Sequence, residues 1–332
     1  MDKVIELIKL NYGLLPRLVK IIDGGYLGNN YFLTSGKGNF FLKGYCYQDI
    51  SKVEEIQKIE FFLADGGIPV ILPIKNNQGL YIFTVEGIHY SLFPYIEGRI
   101  VHRDDLTQKV FESAGKMLAR IHLLSKNGIP DFVTEIISPY NKSIFSEELQ
   151  LIEKKLEDKT QLDSFDQLAR EAIYFKKNAV ERNKIKYQDL NLPDSHLIHG
   201  DYHEANLFFD GNENVSHVFD LEKAKRAPRV YDIIRAMDSM CFFTHFENHN
   251  FENAKSFIQA YGSIYPLDQV EFETGIKYYY LKKIHSLLIE KEHYLKHNNR
   301  LNDFLKSDLV SLSYYSSNLE NYTKRLMEFL RT

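Results

Sequence analysis

Apolar residues recur at helical spacing over residues 3–10, where Val4, Ile5, Leu7 and Ile8 share one side, and Pro16 is expected to end that helix. The pattern then changes to short apolar runs at residues 18–22, 31–34 and 39–43. They are separated by Asp23-Gly24-Gly25-Tyr26-Leu27-Gly28 and by Ser35-Gly36-Lys37-Gly38, which predicts an antiparallel meander with a glycine-rich first turn. Residues 51–65 return to a helical period with Val53, Ile56, Ile59, Phe62 and Leu63 on one face, closed by Gly66-Gly67-Ile68-Pro69. Runs at 80–85 and 89–96 predict two more strands, the second breaking into Glu97-Gly98-Arg99.

From Leu106 onward helical periods dominate, over residues 106–124, 144–158, 162–184, 231–243, 250–262, 267–294 and 300–329. Lone His122 lies on the first of these and is expected to be packed, and Lys154-Lys155 and Lys176-Lys177 read as a solvated face. The predicted fold class is α+β and bilobal. A small antiparallel-sheet lobe with one main helix covers residues 1–98, a hinge lies at 94–98, and a larger, mostly α-helical lobe covers 99–332.

Length and charge agree with that division. The 332 residues suffice for two lobes around one cleft, and 41 basic against 45 acidic residues leave a net charge of -4. No basic excess points to nucleic acid and no polybasic tail to a membrane surface. Cys46 and Cys241 stand far apart and read as lone thiols, and without CxxC or HExxH spacing a zinc site is not expected. The start MDKVIELIKLNYGL is amphipathic and charged, unlike a signal peptide, and no apolar run approaches the roughly 18 residues of a membrane span, so a cytoplasmic location is expected. No separate apolar stripe marks an oligomer interface apart from the helical core.

The chemistry concentrates between Leu197 and Glu222, LIHGDYHEANLFFDGNENVSHVFDLE. Two apolar runs joined by a Gly211-Asn212 turn carry Asp201, Asn206 and Asp220 to one edge. A carboxylate base and two oxygen donors for a hard cation suit phosphoryl transfer from ATP with Mg²⁺. Asp201 would take the proton of an attacking hydroxyl, Asn206 would offer a neutral oxygen and Asp220 an anionic one. Glu222 would help directly or through water. Upstream, Lys43 ends a strand and is either a solvated charge or a contact for ATP's phosphates. Glu54, Glu55 and Glu60 are candidates to pair with it, Glu55 sitting best relative to the apolar stripe. The turn bearing Gly24, Gly25 and Gly28 fits either an ordinary hairpin or a cover for phosphates, and matches neither GxxxxGK[ST] nor GxGxxG. Around Tyr95 and Glu97 the backbone would meet an adenine edge if that stretch is the hinge. Asp232 stands near a helix N-terminus, where a carboxylate is favoured.

HGDYHEAN (His199–Asn206) resembles the HGDxxxxN motif of the aminoglycoside phosphotransferase and homoserine/choline kinase-like superfamily, distant relatives of protein kinases. FDLEKA (Phe219–Ala224) resembles its D-x-E/D metal-binding segment, with 18 residues between the two aspartates. The likeness extends to the glycine turn, the lysine strand, GIPV at 67–70, FPYIEGR, LARIH (Leu118–His122) and YDI (Tyr231–Ile233). It implies a protein-kinase-like fold with Asp201 as base, Asn206 and Asp220 as Mg²⁺ ligands, Lys43 on the α/β-phosphates with Glu55 as its partner, and His199 and Asp232 as structural supports. Gly200 stands where protein kinases carry arginine, and a helix follows Asp220 within a dozen residues. Both features favour a small hydroxylated acceptor: an amino alcohol, homoserine, a sugar or an aminoglycoside. An aminoglycoside would call for several carboxylates converging near Asp201. The chain is also similar to spore-coat-associated kinase-like proteins of Gram-positive bacteria, which implies an assembly component, and a nucleotide-binding regulator without turnover is a third reading.

Overall fold

The computed structural model describes residues 2–22, 30–45, 49–137, 141–192, 196–242 and 251–330. They form two compact units. One comprises residues 1–102 with 130–133 and 204–224, the other 103–129, 134–203 and 225–332.

The first unit opens with α1 (Asp2–Tyr12), which ends earlier than Pro16. Gly13 adopts φ +59° and donates its N–H to the Lys9 carbonyl at 3.0 Å, a left-handed stop that glycine reaches without strain. Pro16 instead begins β1 (Pro16–Ile21), an edge strand, where a missing N–H is tolerated. The sheet runs β1-β2-β3-β5-β4 and is antiparallel throughout, with β2 (Asn30–Ser35), β3 (Gly38–Tyr45), β4 (Phe83–Val85) and β5 (Ile88–Pro94). The expected five strands are present, but β4 is shorter than the 80–85 run. The Asn76 side-chain oxygen accepts N–H groups from Gln78 (2.9 Å) and Leu80 (3.0 Å), which keeps that stretch in a turn. Glu86 and Gly87 both have positive φ, the twist that a two-residue β4–β5 hairpin requires.

One face of the sheet buries Val19, Leu33, Leu42 and Leu92 with Val4, Ile8 and Tyr12 of α1. Lys43, next to Leu42, therefore points to the opposite face. There α2 (Ile50–Asp65) covers it: Gln57 donates to the Ser91 hydroxyl at 2.9 Å, and Ser91 is the residue paired with Lys43 across β3 and β5. Residues 204–224, which the sequence reading placed in the helical lobe, assemble with this sheet unit. Their hairpin, β7 (Leu207–Phe209) and β8 (Val215–Val218), is tied by Phe209 N–H to the Arg99 carbonyl (2.9 Å) and Val218 N–H to the Pro69 carbonyl (2.8 Å).

The second unit contains α3 (Gln108–Leu124), α4 (Lys142–Glu157) and α5 (Ser164–Arg182), then the pair β6 (His196–Ile198) and β9 (Lys225–Ala227). It continues with α6 (Arg229–Met237), α7 (Phe251–Ile264), α8 (Gln269–Ile284), α9 (Leu288–Lys296) and α10 (Leu305–Glu328). The helical period read over 267–294 is thus two helices. His285 terminates the first, its ring Nδ1–H donating to the Leu281 carbonyl at 2.8 Å, and neither glycine nor proline announces the break. A π-helical turn over Asp238–Phe242 likewise ends the helix read over 231–243.

Phe145, Ile152, Ala169, Ile173, Leu287 and Leu305 form one core of this unit. A chain of alternating charges crosses the unit: Glu290–Lys176 (2.7 Å), Lys176–Asp308 (3.4 Å), Asp308–Lys283 (3.5 Å) and Lys283–Asp238 (2.9 Å). Lys176, expected on a solvated face, is 1% exposed. It is held there because two carboxylates compensate its desolvation. Among the described residues no helix is long and apolar enough to cross a membrane.

α3 and α7 meet closely at Gly115, where an added Cβ would lie 2.4 Å from the Phe257 carbonyl oxygen of α7. Backbone cannot move aside cheaply, so Gly115→Ala is expected to lower stability by about 2 kcal/mol in urea unfolding. Gly36→Ala, whose Cβ meets only the Arg17 guanidinium at 3.7 Å, is the control expected to leave stability unchanged.

Candidate active site

Several of the residues singled out by sequence gather into one cluster in each unit. In the sheet unit the Lys43 ammonium contacts Asp220 (3.0 Å) and Glu222 (2.6 Å). Burial alone would push this lysine down, but the charge of Asp220, then that of Glu222, holds it well above the ordinary value, so it stays cationic. Asp220 is in the left-handed region at φ 62°, ψ 62°, unusual for a residue with a side chain and a form of local strain that gathers at functional sites. Asn206 is buried, and its carbonyl accepts the Phe219 N–H at 3.2 Å, which sets it beside the segment carrying Asp220. An amide oxygen and two carboxylates are the hard donors Mg²⁺ accepts, in the small number it needs when phosphates and water complete its shell.

In the helical unit, β6 delivers His199-Gly200-Asp201 into a turn, with Gly200 at φ +78°. Asp232 on α6 is fully buried beneath it. Its carboxylate accepts the backbone N–H groups of His199 (2.9 Å) and Gly200 (3.0 Å) and the His122 Nε2–H (3.2 Å). His122 Nδ1 in turn faces the Tyr261 hydroxyl at 2.9 Å, so a neutral ring donates to Asp232 and accepts from the tyrosine. Burial pushes His122 below its ordinary value, which keeps it neutral. His199 Nδ1 accepts the Asp201 N–H at 3.3 Å. The Asp201 carboxylate is gripped by the Arg235 guanidinium, and His203 lies 3.9 Å from it.

Residues 19–267 match the phosphotransferase enzyme family, APH. The chain belongs to that family. It is 24% identical over 276 residues to a homoserine kinase of Caulobacter vibrioides, covering 82% of this chain and 81% of that one. Among solved structures, the fold is shared with a spectinomycin phosphotransferase in complex with ADP and spectinomycin (TM-score 0.65, 18% identity, 100% and 97% of the two chains). It is shared too with a microcompartment-associated aminopropanol kinase (TM-score 0.67, 14% identity, 97% and 98%). The expected α+β, protein-kinase-like class is therefore the observed one, and the chain is a phosphotransferase.

Within this phosphotransferase the remaining expected site residues are placed as follows. Glu55 pairs with Lys52 at 3.7 Å, while the Lys43 ammonium contacts Asp220 and Glu222. The glutamate of α2 that senses Lys43 is Glu60, one turn from Gln57 on the face turned to the sheet. Burial, only partly offset by Lys43, raises Glu60 to about 8, so it is largely protonated at neutral pH. Tyr95 donates its N–H to the Asn39 carbonyl at 3.1 Å and sets its ring edge-on to Phe32, and Glu97 is exposed. Gly24, Gly25 and Gly28, like Cys46, lie outside the described residues. Arg235 was not foreseen. Its spacing of three from Asp232 put it on the same helix face, a signal the sequence carries without saying what it reaches. A cavity of about 400 Å³ in the helical unit is lined by Arg235 together with Tyr231, Tyr279, Lys282, Lys283 and Asp308.

The buried histidines around the turn make stability pH-dependent. His196 on β6 bonds the Tyr265 hydroxyl at 2.9 Å and lies beside His122. Burial, with the neighbouring charges, lowers it to about 3 from 6.5. Between those values the unfolded chain binds a proton that the folded chain refuses, so stability falls as pH drops below about 6.5. For this partly screened group the loss expected by pH 5 is about 1 kcal/mol. Urea unfolding of His196→Gln should show a pH 5 loss smaller than wild type by that amount, and an equal loss would contradict the assignment.

Proposed function

We propose that this phosphotransferase is an ATP- and Mg²⁺-dependent kinase that moves the γ-phosphoryl group to a hydroxyl of a small molecule. The observation that carries the reading is Asp201, a carboxylate set at the end of a backbone turn whose two N–H groups are pinned by buried Asp232. A base on so constrained a turn can hold one lone pair toward an acceptor hydroxyl and receive its proton as the O–P bond forms. Lys43 offers a permanent ammonium to phosphates. Asn206 and Asp220, with Glu222 beside them, would hold Mg²⁺, which when bound supplies neutralisation of phosphate charge. A cytoplasmic location accords with a reaction that consumes ATP.

The acceptor is the finer question. The relatives include a homoserine kinase, a spectinomycin phosphotransferase and an aminopropanol kinase. The cavity of the helical unit has a volume suited to a small metabolite. Its two lining carboxylates, Glu148 and Asp308, are already in ion pairs with lysines, while Arg235, Lys282 and Lys283 also line it. That balance favours a compact zwitterion such as a hydroxy amino acid over a polycationic aminoglycoside, which would need several uncommitted carboxylates near Asp201. Intact Asp201, Asn206 and Asp220 favour turnover over a regulator or an assembly component of the spore-coat kind.

A coupled ADP-release screen over hydroxy amino acids, amino alcohols and aminoglycosides tests this. Asp201→Asn is expected to lose transfer by about a thousandfold or more while MgATP still raises its melting temperature. Asp220→Ala is expected to lose that thermal stabilisation. A wild-type melting temperature indifferent to millimolar MgATP would sink the reading, and MgATP binding without ADP release over the whole panel would favour the regulator.

A further inference from the structure

Arg235 makes two contacts that a purely structural arginine would not combine. One terminal nitrogen, Nη2, donates to Asp201 Oδ1, and the same side chain lines the 400 Å³ cavity. The other terminal nitrogen, Nη1, is buried and finds no hydrogen-bond partner among the described residues. A buried N–H without a partner is uncommon because its desolvation is uncompensated, and a guanidinium that uses only half of its fork on a carboxylate leaves its best geometry unused. The stem is well fixed, since Arg235 follows Asp232 by one turn on α6, and Asp232 is itself locked to the turn that carries Asp201. The head alone is placed to exchange partners.

We propose that Arg235 is a positioning and specificity residue that senses the acceptor. Without acceptor its guanidinium holds the Asp201 carboxylate, and the carboxylate of a hydroxylated zwitterion entering the cavity takes the guanidinium over. With the guanidinium drawn off, Asp201 accepts the hydroxyl proton. The acceptor oxygen forms its bond to the γ-phosphorus, the bond from that phosphorus to the β-bridging oxygen breaks with its electron pair leaving on ADP, and Arg235 remains a cation throughout. The arrangement discourages transfer to water, because an arginine-bound carboxylate is a weaker base when no acceptor is present. It also selects for acceptors with a carboxylate near the hydroxyl. The proposal rests on the phosphotransfer reading above.

Two probes separate the carboxylate from the rest of an acceptor: L-homoserine and 3-aminopropan-1-ol, which share the amine and the hydroxyl. Calorimetric binding to the MgADP-loaded full chain is expected to favour homoserine by about tenfold in wild type, the scale of one charge-assisted pair. Arg235→Gln should abolish that preference, and should release ADP from MgATP without acceptor severalfold faster than wild type. Arg235→Lys, which keeps the charge but not the fork, should fall between them, and it carries the test alone if the glutamine variant does not fold. No preference in wild type, a preference that survives in Arg235→Gln, or unchanged acceptor-free hydrolysis would each overturn the proposal. Failure of the phosphotransfer reading shows separately, as a wild type that releases no ADP with any acceptor; the acceptor-gating proposal is then overturned with it, whatever the binding preference.

Discussion

The Asp232 carboxylate sits where three elements meet: the end of β6, the start of α6 and the last turn of α3. Its two oxygens satisfy two backbone N–H groups of the turn and one imidazole N–H. Removing them would leave those donors buried and unpaired, which is costly in a low-dielectric interior. The same helix supplies Arg235 one turn on, so α6 governs both the backbone that presents Asp201 and the orientation of its side chain. Neutral His122, relayed to Tyr261, carries this order into the packing of α3 against α7.

The sheet unit solves a different electrostatic problem. A largely desolvated ammonium needs nearby negative charge, and half-buried Lys43 has two carboxylates in contact. A third ionised carboxylate would overbalance it, and Glu60 is accordingly driven toward its neutral form by burial and by Asp220 and Glu222. Proximity in sequence to the apolar stripe made Glu55 the natural partner. The choice depended on which side of α2 faces the sheet, and Gln57 bonded to Ser91 decides that.

Periodicity and turn chemistry made much of the fold legible: the meander, α2 with its glycine stop, and the long helices are local patterns. The HGD turn with Asn206 and Asp220 was legible because its chemistry is compressed into one short stretch. What escaped depended on contacts far apart in sequence. The break at His285 uses a side-chain bond to Leu281 rather than a helix-breaking residue, and the burial of Lys176 depends on Glu290 and Asp308 more than 100 residues away. Arg235 was visible as a residue on the Asp232 face, but its reach to Asp201 follows from where β6 ends.

The assignment of residues 204–224 to the sheet unit has an architectural consequence. The chain passes from one unit to the other and back before it finishes, so neither unit is a continuous segment that could be exchanged as a cassette. A fragment cut after residue 102 would contain Lys43 without Asp220 or Glu222, a half-buried cation stripped of both counter-charges. Any recombination that conserves this sheet must therefore carry the 204–224 hairpin with it, through the middle of the helical sequence. The inheritance of the sheet unit is tied to that of its neighbour by the path of the backbone itself.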